Sequence, residues 1–154
     1  MDNPFWNFSL AYYSKPAVAQ LCLLAQDRYG VDVNFLLYAA WLSSRDQVLS
    51  TQRLAALYRE TEQWRLQVVG PLRALRRQWR DLPEAAELRP RLQELELQSE
   101  RSLQDRLWVE YQALAPVSGA GVLRTNLALV LSPRVPAGSE REILLDQLVA
   151  ALKV

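Results

Sequence analysis

Apolar residues recur at intervals of three and four along most of the chain, a spacing that predicts α-helices. Between Pro16 and Tyr29 the residues Val18, Leu21, Cys22, Ala25 and Tyr29 mark one face, Ser14 stands as a cap, and Gly30 supplies a left-handed stop. Asp32 is then placed to cap a helix whose residues Val33 to Leu42 are apolar nearly all round, the signature of a central, buried element. Ser50-Thr51 opens a long helical pattern running to about Leu82. Gly70-Pro71 interrupts it and predicts a kink or a break. A further helix is expected from Leu82-Pro83-Glu84 to Leu114, with the stripe Leu88, Leu92, Leu95, Ser99, Leu103, Leu107, Tyr111 and Leu114. These two long patterns predict a helical hairpin.

The ends are less periodic. Residues 1–14 hold Phe5, Trp6, Phe8, Leu10, Tyr12 and Tyr13, so they are expected to dock on the body as an aromatic segment. Residues 116–138 are rich in Pro, Gly and Ser and predict a loop-rich connection in which VLRTNLALVL forms a short helix. Ser139 is expected to cap a last helix, 139–153, that turns Ile143, Leu144, Leu148, Val149 and Leu152 inward. The expected fold is therefore all-α: one domain over 1–154, an irregular helical bundle built around Val33–Leu42.

Composition narrows the chemistry. A chain of 154 residues, 50% hydrophobic and 23% charged, can bury a core, which excludes a disordered or collagen-like chain. With 18 basic against 17 acidic residues the formal net charge is +1, so a signal for a charged partner must be local. The absence of histidine removes the Ser-His-Asp triad, and a single cysteine removes disulfides and Cys/His zinc patterns. That cysteine, Cys22, lies among Leu21, Leu23 and Leu24 and reads as a small core residue. No Gly-rich phosphate loop, G-x-S-x-G elbow or dinucleotide fingerprint is present, so no cofactor is expected. The start MDNPFWNFSL has no basic run ahead of an apolar one, and the longest apolar stretch is too short to span a bilayer, so a cytoplasmic protein without membrane insertion is expected.

The local charge signal lies in WRLQVVGPLRALRRQWR, residues 64–80, which carries five arginines and no acid. A regular helical projection puts Trp64, Val68, Leu72, Leu75 and Trp79 on one side and Arg65, Arg73, Arg76, Arg77 and Arg80 on an adjacent one. All basic residues but Lys15 and Lys153 are arginine, whose planar fork suits carboxylate and phosphate. The expected role is a non-enzymatic binding or adaptor protein whose arginine face meets an acidic protein or another anionic partner. A phosphate or diphosphate ligand and nucleic acid are the alternatives, and a second copy of the chain is a further candidate partner. Against a free face stands internal neutralisation by Glu87, Glu94, Glu96 and Glu100 of the following helix. Asp27 and Asp32, beside Asn34, are the only candidates for holding a divalent cation, and Asp32 already has a capping role.

The pieces Asn3-Pro4-Phe5-Trp6-x-Phe8-Ser9-Leu10, Asp32-Val33-Asn34-Phe35-Leu36-Leu37-Tyr38 followed by Trp41, and Trp64-Arg65-x-x-Val68-Val69-x-Pro71-Leu72-Arg73-x-x-Arg76-Arg77 resemble a family of small, uncharacterised proteobacterial proteins. The resemblance covers roughly residues 3 to 115. It implies a bacterial, cytoplasmic, all-helical protein and brings no activity, cofactor or catalytic residue with it.

Overall fold

A computed structural model describes residues 2–153. Its elements are α1 (Pro4–Tyr13), α2 (Pro16–Tyr29), α3 (Val33–Ser44), α4 (Thr51–Trp64), a π-helical turn (Arg65–Val69), α5 (Gly70–Trp79), a 3-10 turn (Pro83–Ala85), α6 (Arg89–Ala113), α7 (Leu123–Leu131) and α8 (Ser139–Leu152). No strand occurs among the described residues. The fold is all-α and single-domain, and no helix is long and apolar enough to cross a membrane.

Helix α3 is the axis of the bundle. Every residue from Val33 to Leu42 is buried, because α1, α2, α6 and α7 all pack on it. Its aromatic residues join the layers: Phe5 of α1 meets the edge of Tyr38 at 5.4 Å, and Trp41 meets Tyr111 of α6 at 4.7 Å. A polar knot ties the remaining side, where Asn126 of α7, fully buried, accepts from the Leu49 amide and donates to the Ala39 and Gln47 carbonyls. This ties the Gln47 carbonyl and the Leu49 amide of the α3–α4 connection to α7.

Several ends are as the sequence predicts. Asp32 accepts from the Asn34 amide, Ser50 accepts from the Arg53 amide, and Gly30 closes α2 with φ 71°. Other ends differ. The aromatic segment is itself a helix, capped by Asn3, whose Nδ2 also donates to Asp105 and so fastens α1 to α6; Met1 lies outside the described residues. Ser14 does not cap α2; its hydroxyl donates back to the Ala11 carbonyl, and Lys15 takes the cap position. Ser139 is the first residue of α8, after Gly138, and Leu145 takes the inward place expected for Ile143, which is exposed.

The hairpin α5–α6 exists, with two corrections. Helix α6 starts at Arg89, not near Leu82, because Pro90 suits a first helical turn while Pro83 is spent on the 3-10 turn. Its buried face is Leu92, Glu96, Ser99, Leu103, Gln104, Leu107 and Tyr111, leaving Leu88, Leu95 and Leu114 exposed. At Gly70-Pro71 the helix neither breaks nor stops. Pro71 has no N–H to give, and the chain widens just before it into the π turn, where the Gly70 amide donates to the Arg65 carbonyl. A Cβ on Gly70 would stand 3.1 Å from that same oxygen, so the turn is fitted to glycine.

Candidate functional site

The π turn changes what the arginines face. Relative to a regular α-helix it inserts an extra residue, which rotates everything after Val69 by about one helical step against Trp64. Trp64 is accordingly exposed on its outer side, though its Nε1 donates to the Ser99 carbonyl at 2.8 Å. On α5 the half-buried positions are Leu72, Arg73, Arg76 and Trp79, while Leu75 is exposed. Two of the expected outward arginines therefore point at α6.

There they meet carboxylates. Arg76 Nε donates to Glu96 at 2.5 Å, Arg73 Nη2 donates to Glu100 at 3.0 Å, and Arg73 Nε stands 3.9 Å from the second oxygen of Glu96. The arginine side chains are only 17% and 20% exposed, and Glu96 only 11%, so these pairs are shielded from water and salt far better than surface pairs. Glu96 and Glu100 do what internal neutralisation requires; Glu87 and Glu94 make no ion pair among the described residues. Burial pushes the Glu100 carboxyl above the usual carboxylate range, with the Arg73 guanidinium pulling the other way.

The remaining arginines go elsewhere. Arg77 pairs with Asp27 on the surface. Arg80 is exposed and has no ion-pair partner among the described residues. Arg65 is locked in place: Nε donates to Thr61 Oγ1 at 3.0 Å, Nη2 donates to the Tyr58 carbonyl at 2.7 Å, and the guanidinium lies over the Tyr58 ring at 4.9 Å.

Arg65, Arg73 and Arg77 nevertheless converge on one concavity of about 600 Å³ beside the α2–α3 turn and the π turn. A fourth arginine joins them from the loop after α7, Arg134, exposed and without an ion-pair partner among the described residues. The acidic members of the lining are Asp32 and Glu62. Burial pushes the Asp32 carboxyl above the usual carboxylate range, with Arg73 and Arg65 pulling the other way. The cleft thus gathers four arginines against two lining acids in a concave setting, with Arg73 and Arg77 already paired to Glu100 and Asp27 and with Arg65 and Arg134 free of ion pairs among the described residues. Sequence reading missed Arg134, because it sits some fifty residues from the arginine run in a Pro-flanked loop with no periodicity to mark its direction.

Asp27 and Asp32 each have a partner of their own. One is paired with Arg77 and the other caps α3, and no group of three or more His, Cys, Asp or Glu side chains able to hold a metal ion occurs among the described residues. Burial pushes the Cys22 thiol up to about 12, so its thiolate population at neutral pH is minute. Tyr58, at the cleft, is likewise raised to about 12 by burial and stays a neutral phenol.

On the other side of Arg73 lies a second cleft of about 340 Å³ between α1, α2, α3, α5 and α6, into which the Arg73–Glu100 and Arg76–Glu96 pairs also face. No curated protein and no solved structure matches the chain. A family model matches residues 4–107, which takes in α1 to α5 and most of α6 and leaves Arg134 outside. The chain belongs to the family described as "Protein of unknown function (DUF2390)".

Proposed function

We propose that this is a non-catalytic binding protein that holds an anionic group in the arginine-lined cleft. The observation that carries this reading is the meeting of Arg65, Arg73, Arg77 and Arg134, drawn from two separate parts of the chain, around one concavity. Rigidity supports it as well. Arg65 is fixed by two hydrogen bonds and an aromatic face and Arg73 by Glu100, so little side-chain entropy remains to be lost when an anion arrives. Arg134 is the one with freedom to close over it.

The same geometry shifts the weight between the partners the sequence allows. An acidic protein docking on the outer face of α5 would find only Arg77 and Arg80 exposed there, since Arg73 and Arg76 are turned into the hairpin. A concave site favours a compact phosphate- or carboxylate-bearing group. A binding role rather than catalysis fits the absence of histidine and the inertness of Cys22.

The test is calorimetric titration with pyrophosphate and, separately, with a short oligoglutamate peptide. Saturable binding of either, weakened in Arg134→Gln and falling as salt is raised, supports the reading, and the tighter probe separates a small ligand from an acidic protein partner. Absence of heat with both at low ionic strength would overturn it.

A further inference from the structure

The second cleft, which shares Arg73 with the anion site, differs from it in its buried polar lining. Three of its lining residues, Ser9, Asn34 and Gln104, are polar and almost wholly buried, at 3%, 3% and 2% exposure. Gln104 Nε2 donates to Asn34 Oδ1 at 2.9 Å, joining α6 to the central helix. The complementary halves are left over: Asn34 Nδ2, Gln104 Oε1 and the Ser9 hydroxyl have no hydrogen-bond partner. One orphaned buried group is a cost that native proteins rarely carry; three around one concavity call for a cause. Apolar side chains of the same size would fill this space without that cost.

We propose that this cleft is a binding site for a small, net-neutral molecule bearing a carboxamide, with Asn34, Gln104 and Ser9 reading the amide. A carboxamide offers N–H donors beside a carbonyl acceptor, which is the complement of a free acceptor on Gln104 and free donors on Asn34 and Ser9. The terminal torsions of Asn34 and Gln104 are broad and soft, so a modest rotation turns both toward an occupant. The rest of the lining agrees in charge. Its two arginines and two glutamates balance, which suits a neutral or zwitterionic ligand and disfavours a net anion. The rim is apolar, with Leu10, Leu23 and Leu97 exposed there, and offers hydrocarbon contact to the part of the molecule away from the amide. The volume of about 340 Å³ lies at the lower end of the range for small-molecule sites.

The chemistry predicts discrimination between each amide and its isosteric acid. Ligand-observed NMR with the pairs L-glutamine and L-glutamate, and nicotinamide and nicotinate, tests it at millimolar concentration. At least one amide is expected to bind saturably, with its acid about tenfold weaker or worse, because a carboxylate cannot donate to Gln104 Oε1. The double variant Asn34→Leu with Gln104→Leu is expected to lose that binding while melting no lower than the wild type, since both halves of the polar pair are replaced together. If that variant fails to fold, Leu97→Trp on the exposed rim narrows the mouth without touching the core and is expected to abolish binding at an unchanged melting temperature. No binding by either amide, equal binding of amide and acid, or binding that survives Leu97→Trp would each overturn the proposal.

Discussion

Glu96 is the carboxylate on which the hairpin's electrostatics turn, and Glu96→Leu is the most informative single substitution. Its side chain is 11% exposed, accepts from Arg76 at 2.5 Å and faces Arg73 Nε at 3.9 Å. Stripping one partner from a fully buried pair costs about 3 to 5 kcal/mol, and the residual exposure of both arginines brings the expected loss to roughly 2 to 4 kcal/mol. In a chain of this size that is a fall in melting temperature of roughly 4 to 16 °C. Arg76→Met should cost less, about 1 to 2 kcal/mol, because Glu96 keeps Arg73 nearby. The double variant Arg76→Met with Glu96→Leu should return to within about 1 kcal/mol of wild type, since no charge is then left unpaired and Arg73 retains Glu100. Urea unfolding followed by circular dichroism, at low and high salt, measures all three, and the loss in Glu96→Leu should persist at high salt. Additive single effects, or a neutral Glu96→Leu, would refute the shielded pairing described for α5 and α6.

Two further outcomes follow from groups elsewhere in the core. Asn126→Leu removes three hydrogen bonds and leaves the buried Leu49 amide without its partner, so a loss of about 1 to 3 kcal/mol is expected in urea unfolding; no measurable loss would contradict the knot's role. Glu100 binds its proton more readily in the folded chain than in the unfolded one, because burial raises its pKa. Lowering the pH from neutrality through that raised value should therefore stabilise the wild type relative to Glu100→Gln, whereas a gap that is flat or moves the other way would refute the assignment.

Much of the bundle was legible because single physical rules dominate its strongest elements. Ten successive buried residues in α3 announce themselves by having no polar face, and Gly30 closes α2 and Asp32 opens α3 with cap chemistry that tertiary contacts do not override. The arginine helix was legible in composition and illegible in phase. A projection at constant angle cannot anticipate a π turn, and that turn carries Arg73 and Arg76 from the solvent side to α6. A separate difference lies in α6, where the leucine stripe points to Leu95 as a core residue and the structure buries Glu96 instead. A buried carboxylate becomes comprehensible only once two guanidinium groups are known to lie opposite it. The anion cleft was half legible: three of its arginines stood among the five singled out, while Arg134 comes from a loop whose direction only the packing of α7 determines.

The most direct test of the central claim is the affinity of pyrophosphate for the wild-type chain and for Arg134→Gln, an exposed substitution that leaves the core alone. Saturable binding that weakens several-fold in the variant and declines steadily with added salt is the expected result. Affinities that coincide, or no binding of pyrophosphate or of oligoglutamate even at low ionic strength, would mean that the four arginines meet without holding anything between them.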